Sequence, residues 1–446
     1  MPPADDDALV FNCCLPQLNT VSLAFYSRQR KLSGKEIQLA PKLSIVIPTY
    51  NRSRWLMRAL EAFRAEALPA EQFEVIIADD GSSDGTEALV ASFEANYRIK
   101  YCFQEDKGFR AAAARNLGAK LAEGEVLAFF DAGQIPSPSF AASHLSAHTR
   151  VPSVRRVMIG QICGWSTGVA QHAEKVPAEQ LYRSISKETD PRHQTFARFG
   201  FDASRLPLPP LLCWSGNFSV RTEGFWESGG FDENFNEYGI EDVELAYRLW
   251  ERGIGFGFCE DGWAIDLIET RSGTHDKSSV RNIEKFLQKC DPLTPAREVI
   301  AMLQSVSLGL FHDLQEYYQT FLDWEVQAKD IDVLREVESF CRALPPDARV
   351  AILGAGNSIP ESRPDAIMFD FDRQFIRMSD CTVHHRIGLR TDLPDNSIDS
   401  LLITSRMQGI WGRFAYPIML EAKRVANYVH LAWNLAQPAA GLGIAD

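Results

Sequence analysis

The sequence predicts an α/β protein: a mostly parallel sheet with helices on both faces, then a helical stretch and a second, smaller α/β unit. Three observations carry that expectation. From Leu43 onward, short apolar β-branched runs alternate with segments of helical spacing, the succession that builds parallel sheets through crossover helices. Two distant segments, 43–86 and 229–249, each end an apolar run in clustered carboxylates beside glycine. Carboxylates placed there can reach a ligand at the carboxyl ends of strands. Finally, a strand-like pattern restarts at Ala348, after a long stretch nearly free of glycine.

The elements follow in order. Residues 1–42 read as an arm of mixed composition. Leu43–Ile47 is expected as a buried strand, Trp55–Ala67 as a helix and Phe73–Ala78 as a strand. Asp84–Ala95 follows as a helix, Ile99–Phe103 as a strand, Ala111–Ala122 as an alanine-rich helix, and Val126–Phe130 as a strand that stops at Asp131. Between Ser137 and Leu212, prolines and polar residues interrupt any period. Asn217–Arg221 is strand-like, a Gly-Gly turn follows, and a helix runs from about Asp242 to Arg252. The stretch 278–344, rich in Leu, Phe, Glu and Gln, reads as two to four helices broken at Pro292 and Pro295. Strand patterns then recur in RVAILGAG, DAIMFDFD, SIDSLLITS and NYVHLAWN. The expected organisation is an arm at 1–42, an α/β domain at 43–280, a helical region at 281–345 and a Rossmann-like domain at 346–446.

The 446 residues favour two or three domains. With 45% hydrophobic and 24% charged residues the composition is that of a globular protein. A net charge of −13 argues against a broad nucleic-acid or anionic-membrane surface. No apolar run reaches the roughly 18 residues of a membrane span. The start, MPPADDDALVF, lacks the basic-then-apolar order of a signal peptide, so a cytoplasmic location is expected. Nine cysteines without a CxxC pair point to reduced, mostly buried thiols rather than disulfides or structural zinc.

Asp79-Asp80-Gly81 directly follows a strand. An acid there can accept the N3–H of a uracil ring, and glycine lets a ligand approach the backbone. Tyr50, ending the preceding strand, is placed to stack on the base. A polar turn with Asp84 capping a helix is the other reading of this loop.

IVIPTYNR, which includes Pro48 and Tyr50, together with VIIADDGSSDGT resembles the nucleotide-binding half of family 2 glycosyltransferases, enzymes of the GT-A fold. Lys107-Gly108-Phe109-Arg110, Ala114-Arg115-Asn116-Leu117-Gly118 and GEVLAFFDAG are similar to the bacterial chondroitin-polymerase type of domain. GGFDENFNEYGIEDVELAYRL resembles its acceptor-side half and a galactosyltransferase-like segment. The resemblance covers 43–277 and implies a UDP-sugar donor, with Pro48, Tyr50, Asp80, Arg110, Arg115, Asp131 and Trp214 on the donor side.

One departure stands out. Where the family carries Asp-x-Asp, this chain has Asp131-Ala132-Gly133, so the usual ligand for Mn²⁺ or Mg²⁺ has no side chain. The resemblance leaves Asp131 and His275 as metal ligands; an ordinary surface loop is the other reading of His275. A departing diphosphate needs a divalent ion or cationic side chains, and Arg110, Arg115 and Lys277 could share that task; Arg115 could instead only anchor a helix. Glu241-Asp242 opens a helix, where carboxylates are favoured anyway. The resemblance makes Asp242 the general base and Glu241 a residue that positions the acceptor. Trp214 is suited to pack on a sugar ring or in the core.

In the C-terminal part, Gly354-Ala355-Gly356-Asn357, with Asp370 and Asp372 ending the next strand, resembles class I S-adenosylmethionine methyltransferases. The short spacing after Gly356 leaves little room for their first helix, so a non-catalytic module that binds acceptor or forms homo-oligomers is expected, not S-adenosylmethionine binding. The function expected is inverting transfer from a UDP-sugar to a hydroxyl or thiol of a glycan, peptide or small metabolite. A transferase-like binding module that has lost catalysis, and a bifunctional glycosyl- and methyltransferase, are the alternatives.

Overall fold

The computed structural model describes residues 26–28, 40–150, 154–164, 176–267, 275–290, 295–304, 313–372 and 383–433. The chain divides into two compact units, 1–282 and 283–446. Most of the expected 1–42 arm lies outside the described residues.

The first unit is built on β1 (Tyr26–Arg28), β2 (Leu43–Thr49), α1 (Ser53–Phe63), β3 (Phe73–Asp79), α2 (Thr86–Ser92), β4 (Arg98–Phe103), α3 (Ala111–Leu121) and β5 (Val126–Phe130). Neighbours β4, β3, β2 and β5 are parallel. Their continuous apolar runs exist because both faces are covered: Ile45, Val46 and Ile47 are all fully buried. α1 packs Leu56, Ala59, Leu60 and Phe63 on one face. α3 covers the other with small residues, and Gly118 lies so close that a Cβ would stand 2.6 Å from Val46. The chain moves outward from β2 through β3 to β4, then returns to β5 on β2's other side. The crevice between β2 and β5 is therefore a topological switch point, where ligands bind in open α/β sheets.

The remainder of this unit is β6 (Gln134–Pro136), α4 (Phe140–Thr149), β7 (Arg156–Cys163), α5 (Ala178–Ser184), α6 (His193–Arg198), β8 (Asn217–Arg221), α7 (Thr222–Glu227), α8 (Glu241–Glu251), β9 (Gly255–Asp266) and α9 (His275–Lys289). β8 runs antiparallel to β5 and β7, β9 parallel to β7, and β6 antiparallel to β9. The nine strands order as β1-β4-β3-β2-β5-β8-β7-β9-β6. The sheet is thus parallel from β4 to β5, with β1 antiparallel on its edge, and mixed beyond β5; β7 lies in the stretch where the sequence pattern blurs.

The second unit holds α10 (Pro295–Ala301), α11 (Asp313–Gln327), α12 (Leu334–Arg342), β10 (Val350–Leu353), β11 (Ile367–Asp370), β12 (Val383–His385), β13 (Ile398–Ile403), α13 (Gln408–Val425) and β14 (Ala426–Leu431). Its sheet is wholly parallel, in the order β12-β11-β10-β13-β14, the arrangement of a Rossmann half-sheet. Turns, not a helix, join β10 to β11. The glycine loop between them is filled from within. Arg406 forks onto Asp370 through Nε and Nη2, both at 3.2 Å, and a Cβ on Gly356 would lie 3.2 Å from the Arg406 side chain.

Candidate active site

At the carboxyl end of β3 the two aspartates divide. Asp79 is consumed internally: it accepts from Gly81 N (3.1 Å), Ser82 N (2.7 Å) and the Tyr101 hydroxyl (2.8 Å). Asp80 turns the other way. Gln104 Nε2 reaches one oxygen at 2.6 Å, and Arg110 N the other at 2.8 Å, with the Arg110 guanidinium 3.3 Å off. Burial raises the Asp80 carboxyl above its usual range, while Gln104 and Arg110 pull it back. A carboxylate has about four acceptor positions, so Asp80 keeps capacity for a donor group of a ligand. Gly81 is required here: its φ is +95°, and a Cβ would lie 2.3 Å from Asp106 N. Tyr50, 46% exposed, donates to Asp106 Oδ2 at 2.8 Å. Pro48 is half-buried on β2, opposite Ala78. Asp84 accepts from Ser53 N at 2.8 Å and from Thr86 N at 3.3 Å, so it serves the starts of both α1 and α2.

Across the crevice, Asp131 follows β5 and Glu241-Asp242 opens α8. Arg115 joins them. Its Nη1 donates to Glu241 Oε1 at 2.9 Å and its Nη2 to Asp131 Oδ1 at 3.0 Å, and the guanidinium sits 5.4 Å from the Phe231 ring centroid. Arg115 and Glu241 are buried, whereas the Asp131 side chain is 43% exposed. Glu241 Oε2 is buried with no hydrogen-bond partner among the described residues. Burial, then the charge of Asp242, raises the Glu241 carboxyl, with Arg115 opposing. Asp242 is half-buried and held by two backbone donors, Ser215 N and Val243 N, each at 2.8 Å. The two acids therefore differ: Glu241 is tied into the interior, and Asp242 is fixed but reachable.

Trp214 is half-buried, with Arg192 4.4 Å from its ring centroid. Arg192 and Asp190 form a fully buried pair at 2.8 Å. Arg192 also donates to the Leu212 and Gly160 carbonyls, at 2.8 and 3.0 Å. This pair anchors the loop whose Ser215 N grips Asp242. Asn116 is a second residue that the sequence reading assigned no role. Its amide exchanges hydrogen bonds with Phe231 N and O (2.9 and 2.8 Å) and donates to Glu233, holding the turn at Gly229-Gly230. The only sequence signal for Asp190 and Arg192 is a charged pair in a proline-broken stretch.

Among the described residues no three His, Cys, Asp or Glu converge on a metal-sized site. The side chains of His275 and Lys277, in the first turns of α9, lie outside the described residues. Asp131 offers one partly exposed carboxylate, and a Cβ on Gly133 would make only an ordinary contact, with Arg52 at 3.8 Å. A single carboxylate suits a hard divalent ion that takes most of its ligands from phosphates and water.

Residues 44–203 match the family glycosyl transferase family 2, and 197–267 match the N-terminal domain of galactosyltransferase. Validoxylamine A glucosyltransferase of Streptomyces hygroscopicus subsp. jinggangensis is 34% identical over 411 residues, covering 87% of this chain and 96% of that protein. Chondroitin synthase of Escherichia coli is 32% identical over 238 residues, 50% of this chain and 34% of that protein. Among solved structures, the mannosyltransferase PcManGT of Pyrobaculum calidifontis, in complex with GDP-Man and Mn²⁺, aligns at TM-score 0.42 and 16% identity, over 63% of this chain and 74% of its own.

Proposed function

The chain belongs to the family 2 glycosyltransferases, enzymes of the GT-A fold, and on that premise we propose that it transfers a sugar from a UDP-sugar to an acceptor hydroxyl with inversion. Arg115 carries this reading, because it ties the acid at the end of β5 to the acid pair opening α8 and so makes one site of two distant segments. Asp80, with Arg110 and Gln104, receives the uracil edge, and Tyr50 and Pro48 line the base. Asp242 takes the acceptor proton as the acceptor oxygen attacks the anomeric carbon. The bond from that carbon to the diphosphate breaks, and UDP departs with the electron pair. Asp242 fits the base role better than Glu241 because it is the reachable acid of the two. Asp131, with His275, would hold the Mn²⁺ or Mg²⁺ that offsets charge developing on the leaving diphosphate. The relative aligned over nearly its whole length is named as a glucosyltransferase of validoxylamine A. That supports a glucosyl donor and a small-molecule acceptor over a polysaccharide.

Turnover of UDP-glucose, with and without Mn²⁺, is the direct test. Asp242→Asn should lower transfer by about 10²–10⁴-fold while UDP binding stays intact. Near-native turnover in that variant would remove Asp242 from the base role.

A further inference from the structure

Asn282, on α9, belongs to neither recognised motif and is fully buried. Its Nδ2 donates to the carbonyls of three consecutive residues: Glu237 at 3.1 Å, Tyr238 at 3.4 Å and Gly239 at 2.8 Å. Its Oδ1 has no hydrogen-bond partner among the described residues. The amide orientation is therefore dictated by the carbonyls, since a flip would set oxygen against oxygen. The adjacent Arg281 forks onto the Glu237 carboxylate, with Nε 3.0 Å from each oxygen.

The loop gripped this way ends in two left-handed residues, Gly239 at φ +88° and Ile240 at φ +79°. The second conformation is one that a β-branched residue avoids. Such a residue persists only where its surroundings over-determine it, and the next two residues are Glu241 and Asp242. We propose that Asn282 is a positioning residue for this acid pair. It clamps 237–239 so that Ile240 stays left-handed and α8 starts with Asp242 facing the acceptor; Arg281 is the outer half of the same clamp. The proposal rests on Asp242 being the base. Without the clamp Ile240 relaxes and the acids swing out of register. The loop meets the donor side through Tyr238, whose ring centroid lies 6.0 Å from that of Phe109, whereas Asp80 is held by Gln104 and Arg110 themselves, so UDP binding should change little.

The test uses the full chain, measuring transfer kcat and calorimetric UDP affinity for Asn282→Ala, Arg281→Ala and Asp242→Asn side by side. Asn282→Ala should lower kcat by about 10–100-fold, the scale of a small misplacement, and Arg281→Ala by a few-fold, both with UDP affinity within about twofold. Glycine adopts positive φ freely, so adding Ile240→Gly to Asn282→Ala should restore part of kcat. A purely structural asparagine predicts the reverse, because the second change also removes a buried side chain. Unchanged kcat in a folded Asn282→Ala protein, a further fall in the double variant, or parallel loss of UDP affinity would overturn the clamp. If Asn282→Ala does not fold, the exposed Arg281→Ala decides by the same criteria. Turnover surviving in Asp242→Asn would reject the base itself. Turnover lost there but kept in Asn282→Ala would reject only the clamp.

Discussion

Asp79 and Asp80 stand side by side at the end of β3, and only their partners tell them apart. Asp79 is saturated by its own turn and Tyr101, so Asp80 is the one with capacity for a ligand. Asp80→Ala should weaken UDP binding by roughly 1.5–3 kcal/mol, the value of a hydrogen bond to a charged group, without unfolding the protein. Calorimetry on the folded variant checks this, and unchanged affinity would refute the nucleotide site. The residues of short motifs were legible because their chemistry is local: an acid after a buried strand, a glycine beside it, an acid pair at a helix start. Arg115 was not. Its sequence reading stayed open between phosphate neutralisation and helix anchoring, because the deciding partner, Glu241, lies 126 residues away. Asp190, Arg192 and Asn282 were missed for the same reason, being defined by what they touch across the fold.

At the scale of elements, β5 and β8 fall where the sequence places them, and β2, β3 and β4 within two residues at either end. β7 and β9 were missed. β9 carries three glycines, which reads as a loop, yet a Cβ on Gly257 would stand 2.7 Å from Met158 and one on Gly262 2.7 Å from Cys259. Gly257 gives room to the end of Met158, and Gly262 sits in the irregular stretch where β9 shifts register against β7. α4 meets β8 through a buried polar chain that had no sequence signal either. His148 Nε2 donates to Ser219 Oγ at 2.9 Å; that hydroxyl donates to His144 Nδ1 at 2.8 Å; and His144 Nε2 donates to Asn217 Oδ1 at 2.9 Å. This is the proton arrangement that suits Asn217, whose amide nitrogen is committed to the Gln161 and Gly262 carbonyls, and it keeps both rings neutral. Burial lowers His144 to about 4 and His148 to about 3, the latter helped by His144 and Arg221. With folded values depressed, the unfolded chain binds more protons below its own value near 6.5, so stability is complete above that pH and drains as pH falls toward 4. By pH 5 the loss should reach about 2 kcal/mol per histidine. Denaturant unfolding at pH 7.5 and 5 measures it, and a flat profile would contradict the neutral pair.

Over the whole molecule, the sequence pattern captured the α/β character of both units but not what fills them. The Gly354-Ala355-Gly356 loop looked like a cofactor loop, and the positive φ values of Gly354 and Gly356 fit that pattern. The space beside it belongs to Arg406, a residue no local pattern connects to the loop. The described cysteines are free and buried, in line with their scattered spacing. No described helix is long and apolar enough to cross a membrane.

One guanidinium shared by two carboxylates behaves as a balance beam. A divalent ion held at the partly exposed Asp131 would compete with Arg115 for that carboxylate and turn the guanidinium toward Glu241, so that an event at the donor end would reset the acceptor end. Occupancy of the two ends is then linked, and by reciprocity each ligand changes the other's affinity by the same factor. The acceptor identified by the transfer assay should bind several-fold more tightly with UDP and Mn²⁺ present than without. Arg115→Lys, which cannot fork across both acids, should erase that difference. Equal acceptor affinities in the wild-type protein, with and without UDP, would show that the beam does not tip.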